Sequence, residues 1–326
     1  MTVGRLGYSL GPLLSMHDTL LCAKLADREA NVDSLWLPES WGRESFSTLG
    51  AISQVTKRVR LGTSIVNIYS RTPATVAMAA TTLDMLSNNR TIIGLGASTA
   101  AIVENWHGLE FHKPTSRMKE YIDCLRLINM GEKVYYKGEF FKIKNFKILH
   151  QPQRTHIPIF TAAVNKKMIS IASLLADGTL LYLRPFQELK RTASKLKQAT
   201  KGKDFEIACS FICAVSDRDP EKARRRAAKT LAFYVAVGKY YSNFLAENGF
   251  KTEVEEINKE YKKSDVDSAA KCVSDRMLDS LAICGNGEEC RESLSKFITT
   301  GITLPILQFN PIGDPETSFK EMLSTF

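Results

Sequence analysis

The sequence predicts an α/β protein, a (β/α)8 TIM barrel that forms a single domain over residues 1–326 with insertions at its C-terminal face. Eight short apolar runs with strand character alternate with helical runs, a pattern typical of a parallel sheet covered by crossover helices. Eight such units in 326 residues fit the size of a closed barrel. An open doubly wound sheet is the alternative, but Ser9–Leu13, after the first strand, lacks G-x-G-x-x-G.

The elements follow one another in a regular order. The predicted strands are Val3–Ser9, Ser34–Pro38, Val59–Asn67, Thr91–Gly96, Ile157–Ala162, Gly178–Leu183, Phe205–Val215 and Thr303–Phe309. The predicted helices between them include Met16–Ala30, Ser45–Val55, Arg117–Met130, Lys166–Ala176, Gln187–Lys197 and Gly287–Thr300. Three segments are too long for simple loops and are predicted as insertions: Ala97–Pro114, Gly131–Arg154 and Phe233–Val273.

Local signals support particular elements. Thr72 is a good N-cap and Pro73 suits the first helical position, so a helix is predicted to begin there. The insertion at 131–154 reads as a hairpin of residues 133–136 and 140–143 around a Lys-Gly-Glu turn. The insertion at 233–273 is amphipathic, and we expect helices that cover the mouth of the barrel or join a partner subunit.

Composition excludes several classes of protein. With 44% hydrophobic and 24% charged residues, the chain is typical of a globular protein with a large core. No apolar run reaches the length of a membrane span, and no targeting segment is visible before Val3, so we expect a cytoplasmic protein without a membrane partner. The net charge of +9 is spread along the chain without interleaved aromatics, which argues against nucleic acid. The sharpest cluster, Arg224–Arg226, is expected on a solvated helical face, although the basic charge could also recruit an anionic small molecule.

The seven cysteines are scattered and form no C-x-x-C pair. No histidine follows at a zinc-ligand distance, so no metal site is predicted. We expect the thiols to be reduced and buried.

Ligand chemistry in a barrel belongs to the C-terminal ends of the strands. That rule selects a carboxylate, hydroxyls, amides and aromatic rings: Glu39, Ser40, Trp41, Ser64, Ile65, Asn67, Ala97, Ser98, Ala162, Ala163, Val164, Asn165 and Tyr182. Strong bases are few. Such a set suits a large planar cofactor that carries out the reaction while the protein positions it.

Three motifs, LGTSIVN at 61–67, SRTPA at 70–74 and GLG-x-S at 94–98, closely resemble the bacterial luciferase-like barrel enzymes. The similarity is to their coenzyme F420-dependent branch, which includes methylenetetrahydromethanopterin reductases. The resemblance implies a cis peptide bond at Ser64–Ile65 that supports the deazaflavin ring, close approach of the backbone at Gly96, and a homodimer. It also implies that the turn at 162–165 and the next one, near Gly178, bind the cofactor phosphate. F420 carries a phosphodiester and a polyglutamate tail, which would suit a basic protein.

Three residues are the candidate catalytic groups. Glu39 stands where the family usually has an acidic residue, and it either orients the cofactor, donates a proton or caps the next helix. Ser40 occupies the place of a histidine that several F420 dehydrogenases use. His107, in Asn105-Trp106-His107-Gly108, has the side-chain type best suited to proton transfer near neutral pH. The alternative for His107 is a structural role that holds its loop against Arg117 or Glu120.

The resemblance implies hydride transfer between carbon C5 of F420 and a small-molecule substrate. Ser40 and Thr99 replace the acid/base residues of the sugar-phosphate enzymes, which argues against a sugar phosphate. A pterin-linked one-carbon unit, an alcohol and an enone remain open. The alternatives are an FMN-dependent monooxygenase of the same fold and a non-catalytic barrel.

Overall fold

The computed structural model describes residues 4–40, 42–263 and 265–326. Its strands are β1 Leu6–Ser9, β2 Val32–Leu37, β3 Arg60–Thr63, β4 Val66–Asn67, β5 Thr91–Gly96, β6 Val134–Lys137, β7 Lys142–Phe146, β8 Ile159–Ala162, β9 Gly178–Tyr182, β10 Glu206–Val215, β11 Ala282–Gly285 and β12 Leu304–Phe309.

Helices separate most of the strands. They are α1 Met16–Ala26, α2 Ser45–Val55, α3 Pro73–Ser87, α4 Ala100–Asn105, α5 Pro114–Asn129, α6 Lys166–Leu175, α7 Phe186–Ala199, α8 Pro220–Val237, α9 Lys239–Leu245, α10 Lys251–Lys263, α11 Val266–Ala270, α12 Asp275–Leu281, α13 Gly287–Ile298 and α14 Pro315–Thr325. A π-helical turn, Ala246–Phe250, lies between α9 and α10. None of the helices in the described part of the chain combines the length and apolar character that crossing a membrane requires.

The chain divides into two compact units. The first, called here the β2–β9 unit, comprises Asp33–Leu180 and Gly202–Glu206. Its parallel strands follow the order β2-β3-β5-β8-β9, and β4 pairs separately with β5. The antiparallel pair β6 and β7 forms the hairpin predicted in the 131–154 insertion, although both strands begin one or two residues later than expected. The parallel order indicates that β2, β3, β5, β8 and β9 end at a common edge.

The second unit, called the β10–β12 unit, comprises residues 4–32, Leu181–Lys201 and Ile207–Phe326. Its strands run parallel in the order β11-β10-β12-β1. Strand β10 is ten residues long, and its first part pairs with β12 while its last residues pair with β11. The 233–273 insertion belongs to this unit and is helical, as predicted.

Local sequence explains the ends of the helices. Thr72 accepts a hydrogen bond from the Thr75 N–H and Pro73 takes the first helical position, so α3 begins where the sequence predicts. Asn88 ends that helix in the left-handed conformation (φ 55°), which asparagine tolerates well. Asp219 caps α8 in the same manner as Thr72, through the Lys222 N–H. These caps are short-range features, which is why sequence signals were sufficient to locate them.

The structure corrects several predicted elements. The predicted strand 59–67 is two strands, β3 and β4, separated by Ser64 and Ile65. Strand β11 was not predicted, because its four residues follow α12 without a turn signal. The predicted helix 16–30 ends at Ala26, and the other strand and helix ends differ by up to three residues. The part of the first predicted strand at Val3 lies outside the described residues.

All seven cysteines are free thiols, and six of them are buried. Cys209 and Cys213 lie on β10 with no exposed surface, where burial raises the pKa of both thiols. Buried thiols of this kind behave as small apolar side chains. The prediction of a reduced, buried role for the cysteines is therefore confirmed, with Cys272 half-buried as the exception.

Candidate active site

The ends of β3 and β5 are joined by a reciprocal hydrogen-bond pair. Thr63 Oγ1 donates to the Gly94 carbonyl oxygen at 2.8 Å and accepts from the Gly94 N–H at 2.8 Å. A side chain on Gly94 would overlap the Thr63 carbonyl oxygen. The close approach of the two backbones therefore requires a glycine at this position, and this contact holds the ends of β3 and β5 together.

The Ser64–Ile65 peptide bond, between β3 and β4, is cis. The Ser64 N–H donates to the Leu37 carbonyl oxygen at 2.7 Å, which connects this turn to the end of β2. The Ile65 side chain lies against Gly96, where any side chain would meet its Cγ1 and Cδ1 atoms. Gly96 thus leaves the space that Ile65 fills.

Asn67, at the end of β4, carries a buried amide that is only partly satisfied. Its side chain is 4% exposed, and its Oδ1 accepts from the Tyr69 N–H at 2.9 Å. Its Nδ2 has no hydrogen-bond partner among the described residues. Leaving a buried donor unpaired costs about 1–3 kcal/mol, so such a group calls for a partner from outside the chain. On β8, the buried Thr161 Oγ1 is another of the several buried side-chain atoms in this condition.

Glu39, two residues after β2, has a full set of protein partners. It accepts from Arg71 Nε at 2.9 Å and Nη2 at 3.0 Å, and from the Ser45 N–H at 3.0 Å and Oγ at 3.2 Å. Arg71 also donates to Glu44 at 2.6 Å. Burial works against the charge of Arg71, but Glu39 and Glu44 outweigh it and raise the pKa of the guanidinium. Glu39 is thus an acceptor in an ion pair and helps to cap α2.

Glu44 completes the cap of α2. Its carboxylate accepts from the N–H groups of Phe46 at 2.8 Å and Ser47 at 2.6 Å. Burial opposes its ionisation, but the hydrogen bonds from Ser47 and Phe46, with Arg71, lower its pKa. The first N–H groups of α2 are therefore occupied by Glu39 and Glu44, and this helix end has little capacity left for an anion.

Arg117 fixes the chain just beyond Asn67. Its Nε donates to the Ile68 carbonyl oxygen at 3.3 Å, and its guanidinium lies 4.6 Å from the Tyr69 ring centroid and 4.9 Å from that of Phe141. Burial lowers the pKa of Arg117. Aromatic faces attract a cation and partly replace its lost hydration. Arg117, on α5, thus contacts both the segment after β4 and the β6–β7 hairpin, and it holds that segment in place.

The loop after β5 carries Ala97, Ser98 and His107. Ala97 and Ser98 are half-buried, and Ser98 adopts a left-handed conformation (φ 61°). His107 follows α4, is exposed, and makes no hydrogen bond to a described residue, so the contact with Arg117 or Glu120 considered from sequence is not formed. The far end of the loop is tied down, because Tyr69 donates from its hydroxyl to the His112 carbonyl oxygen at 2.9 Å.

The turn after β8 has the form expected of a helix start. Ala162 and Val164 are half-buried, and Ala163 is buried. Asn165 is the N-cap of α6, with its Oδ1 accepting from the Met168 N–H at 2.9 Å. Small residues therefore precede a helix N-terminus, an arrangement that can accept a phosphate.

Two expected cofactor contacts lie at different places on β9. Gly178 is the first residue of β9, where a side chain would meet the Phe160 ring and the Glu206 carbonyl oxygen. The expectation that Gly178 belongs to a ligand-binding turn is wrong, because the ligand face lies at the opposite end of the strand. Tyr182 is at that end, in the β10–β12 unit, and its hydroxyl donates to Gln308 Oε1 at 2.6 Å.

Ser40 is exposed after β2, and Trp41 lies outside the described residues.

Sequence reasoning missed four residues: Glu44, Arg71, Arg117 and Thr161. Arg71 stood in the quoted SRTPA motif, which was a usable signal. For the other three, no sequence signal distinguishes them from ordinary surface or strand residues.

The solved structures that resemble this chain are (β/α)8 barrels, which confirms the predicted fold. The coenzyme F420-dependent tetrahydromethanopterin reductase of Methanopyrus kandleri superimposes with a TM-score of 0.88 at 20% identity, over 99% of this chain and 98% of the other. An F420-dependent secondary alcohol dehydrogenase, bound to an F420–acetone adduct, gives a TM-score of 0.80 at 21% identity, over 99% and 98% of the two chains.

The sequence matches the luciferase-like monooxygenase family over residues 2–304. A relative in Mycobacterium tuberculosis, which carries the provisional name coenzyme F420-dependent oxidoreductase, is 30% identical over 93% of each chain. The 5,10-methylenetetrahydromethanopterin reductase of Archaeoglobus fulgidus is 28% identical over 95% of this chain and 94% of its own. The chain therefore belongs to the luciferase-like family.

Proposed function

We propose that this chain is an F420-dependent oxidoreductase that exchanges a hydride between the cofactor and a small organic substrate. The observation that carries the proposal is the unpaired Asn67 Nδ2 donor, buried at the end of β4 directly after the turn at Ser64 and Ile65. Relatives named for F420 chemistry support the choice of cofactor.

The residues of the β2–β9 unit fit a large planar cofactor. Ser64 and Ile65 would support one face of the ring, Asn67 Nδ2 would donate to a carbonyl oxygen at its edge, and Gly96 to Ser98 would lie along its linker. The turn Ala162–Asn165 would receive the phosphodiester at the start of α6. Bound F420 supplies hydride transfer at carbon C5 of its deazaflavin ring. Tyr182, in the β10–β12 unit, and Trp41 stay predictions from sequence.

The protein's own part in the reaction is positioning and proton transfer. Glu39 accepts four hydrogen bonds, two of them from a guanidinium, so both of its oxygens are already engaged by protein donors. We assign it the positioning of Arg71 and α2. His107 is then the candidate proton donor, on a loop anchored through His112 to Tyr69. Ser40 is an exposed hydroxyl that we place at the substrate entrance.

The substrate class is small and organic: a pterin-linked one-carbon unit, an alcohol or an enone. Relatives named as a methylenetetrahydromethanopterin reductase and a secondary alcohol dehydrogenase support the first two. We further propose that the protein is a cytoplasmic homodimer. Sedimentation velocity of the purified chain would test whether it is a dimer.

Calorimetric titration of the purified chain with oxidised F420 and, separately, with FMN tests the cofactor assignment. We expect saturable F420 binding and FMN binding at least tenfold weaker, because F420 carries, besides a phosphate, a polyglutamate tail that a basic protein can attract and that FMN lacks. Preference for FMN would move the chain to the monooxygenase class. Binding of neither would remove the proposed function while leaving the fold intact.

A further inference from the structure

Three consecutive arginines on α8 behave differently. Arg224 donates to Asp275 at 2.8 Å and to Asp279 at 2.9 Å, so its charge is paired. Arg225 is exposed and Arg226 is half-buried. The sequence placed all three on a solvated face; only Arg225 lies there.

Arg226 has lost much of its water without gaining an anion. Its Nη1 donates to Thr230 Oγ1 at 2.6 Å, a neutral partner one turn along the same helix. Within the described ranges its guanidinium forms no other hydrogen bond and no ion pair. Burial lowers the pKa of Arg226, and no neighbouring carboxylate opposes this. A charge withdrawn from water without a counter-charge is unfavourable, and an anionic ligand would relieve that cost.

Hydrogen bonds connect Arg226 to the ligand face of the strands. Thr230 Oγ1 donates to Asn310 Oδ1 at 2.7 Å, and Asn310 directly follows β12. Asn310 Nδ2 in turn donates to the carbonyl oxygen of Gln308, whose side chain accepts from Tyr182 at the end of β9. One stripe of α8 therefore faces the C-terminal ends of β9 and β12.

The same stripe continues for another turn. Tyr234, four residues after Thr230, meets the Tyr182 ring edge-on at a centroid distance of 5.2 Å. The Tyr241 ring packs against Tyr182 from α9 at 5.7 Å. Barrels bind their ligands at the C-terminal ends of their strands. We therefore expect this stripe, whose charged side chain is Arg226, to line a ligand site.

We propose that Arg226, oriented by Thr230, forms an anion-binding subsite for the carboxylate or phosphate group of a ligand at the ends of β9 and β12. Thr230 holds one edge of the guanidinium, and the remaining N–H groups can contact two oxygens of a planar carboxylate or a phosphate. The anion has two possible sources, the acidic tail of the cofactor or the substrate itself.

Calorimetric titration with sodium phosphate and with glutarate, at an ionic strength held constant with chloride, tests the subsite directly. We expect Arg226→Gln to weaken binding of at least one probe by about tenfold, because charge-assisted hydrogen bonds are lost. Arg225→Gln is the matched control: it removes the same charge one residue away and should leave binding unchanged. Equal affinities in all three proteins, or no saturable binding to the wild-type chain, would overturn the subsite.

A second experiment, titration with F420, distinguishes the two sources of the anion. This experiment is the one that rests on the proposed function. If F420 binding also weakens about tenfold in Arg226→Gln, the anion belongs to the cofactor. If F420 affinity is unchanged while the phosphate or glutarate affinity falls, the anion belongs to the substrate. Failure of F420 to bind the wild-type chain would refute the proposed function, whereas the phosphate and glutarate arm would still decide the subsite.

The wild-type chain provides a measurement that needs no variant, in case Arg226→Gln does not fold. Phenylglyoxal modifies accessible arginines, and peptide mass spectra locate the adducts. Phosphate should slow modification at Arg226 and leave Arg225 unaffected. Equal rates at Arg226 with and without phosphate would contradict the proposal.

Discussion

The ends of β2 and β4 differ in how completely the protein satisfies their polar side chains. Beyond β2, Glu39 receives four hydrogen bonds from Arg71 and Ser45. On β4, Asn67 receives one, from Tyr69, while its Nδ2 donor stays buried and unpaired. The carboxylate is thus part of the scaffold, and the amide is the group whose remaining partner a ligand would supply.

The difference shows that chemical reactivity and availability are separate properties. A carboxylate after a barrel strand attracts attention as an acid, but both oxygens of Glu39 are already bound by the guanidinium of Arg71. An amide has no acid or base strength, yet leaving its donor unpaired in the interior costs about 1–3 kcal/mol. Ligand recognition is therefore expected where the protein leaves a polar group unsatisfied.

Gly94→Ala should have the largest effect on this comparison, because it disturbs the contact between β3 and β5, the strand with which β4 pairs. The new methyl group would overlap the Thr63 carbonyl oxygen, which is backbone and cannot rotate away. We expect a loss of about 3 kcal/mol in the free energy of unfolding, measured by urea denaturation.

Gly50→Ala is the matched control for that substitution. Gly50 lies within α2, with no heavy atom near the position of the added methyl group. Because alanine favours helix, this variant should gain about 0.5–1 kcal/mol. Equal stabilities for the two variants would contradict the close approach at Gly94.

His107→Asn tests whether His107 donates the proton, since both oxygens of Glu39 are bound by Arg71. We expect kcat with F420 to fall about 100-fold, the usual contribution of a general acid, with F420 affinity unchanged. His150→Asn, on another exposed loop, should leave kcat unaffected. Wild-type kcat in His107→Asn would remove His107 from the reaction.

Glu39→Gln tests the scaffold role directly. Losing an ion pair with 13% and 21% exposed side chains should cost about 2 kcal/mol of stability. The kcat should change by less than tenfold, because a lost general acid costs at least about 100-fold. Glu206→Gln, which breaks the 2.7 Å pair with Arg60, is the control for stability alone. A 100-fold loss of kcat in Glu39→Gln only would make Glu39 the proton donor.

Glu44→Gln should give the smallest effect, a loss of stability that is present near neutral pH and disappears in acid. The folded-state pKa of Glu44 is lowered, so its contribution to stability is complete above the unfolded value of about 4.3. That contribution is lost as the pH falls through the folded-state pKa. The difference in unfolding free energy between wild type and variant should therefore shrink from pH 6 to pH 3. A constant difference would contradict the lowered pKa.

Features set by neighbours in sequence were predictable. The start of α3 at Thr72 and Pro73 depends on one turn of chain, and the barrel follows from the alternation of apolar runs. The pairing of Glu39 with Arg71 joins residues 32 apart, and no local pattern specifies it. Gly178 was assigned to a phosphate-binding turn by the family resemblance, although the predicted strand 178–183 already begins at this glycine, as β9 does. Asn67 was selected by its position, whereas its unpaired donor is a property of the packed interior.

The most direct measurement of the central claim is the F420 affinity of Asn67→Asp, determined by calorimetry at pH 8. The substitution keeps an acceptor for the Tyr69 N–H and replaces the Nδ2 donor by an oxygen. Asn286→Asp, at the cap of α13 where Oδ1 accepts from Glu289, is the matched control, and Asn67→Ser covers a failure of the buried carboxylate to fold. We expect F420 binding to weaken about 10- to 100-fold in both Asn67 variants and to stay unchanged in Asn286→Asp. Unchanged affinity in folded Asn67 variants would contradict the claim that this amide recognises the cofactor.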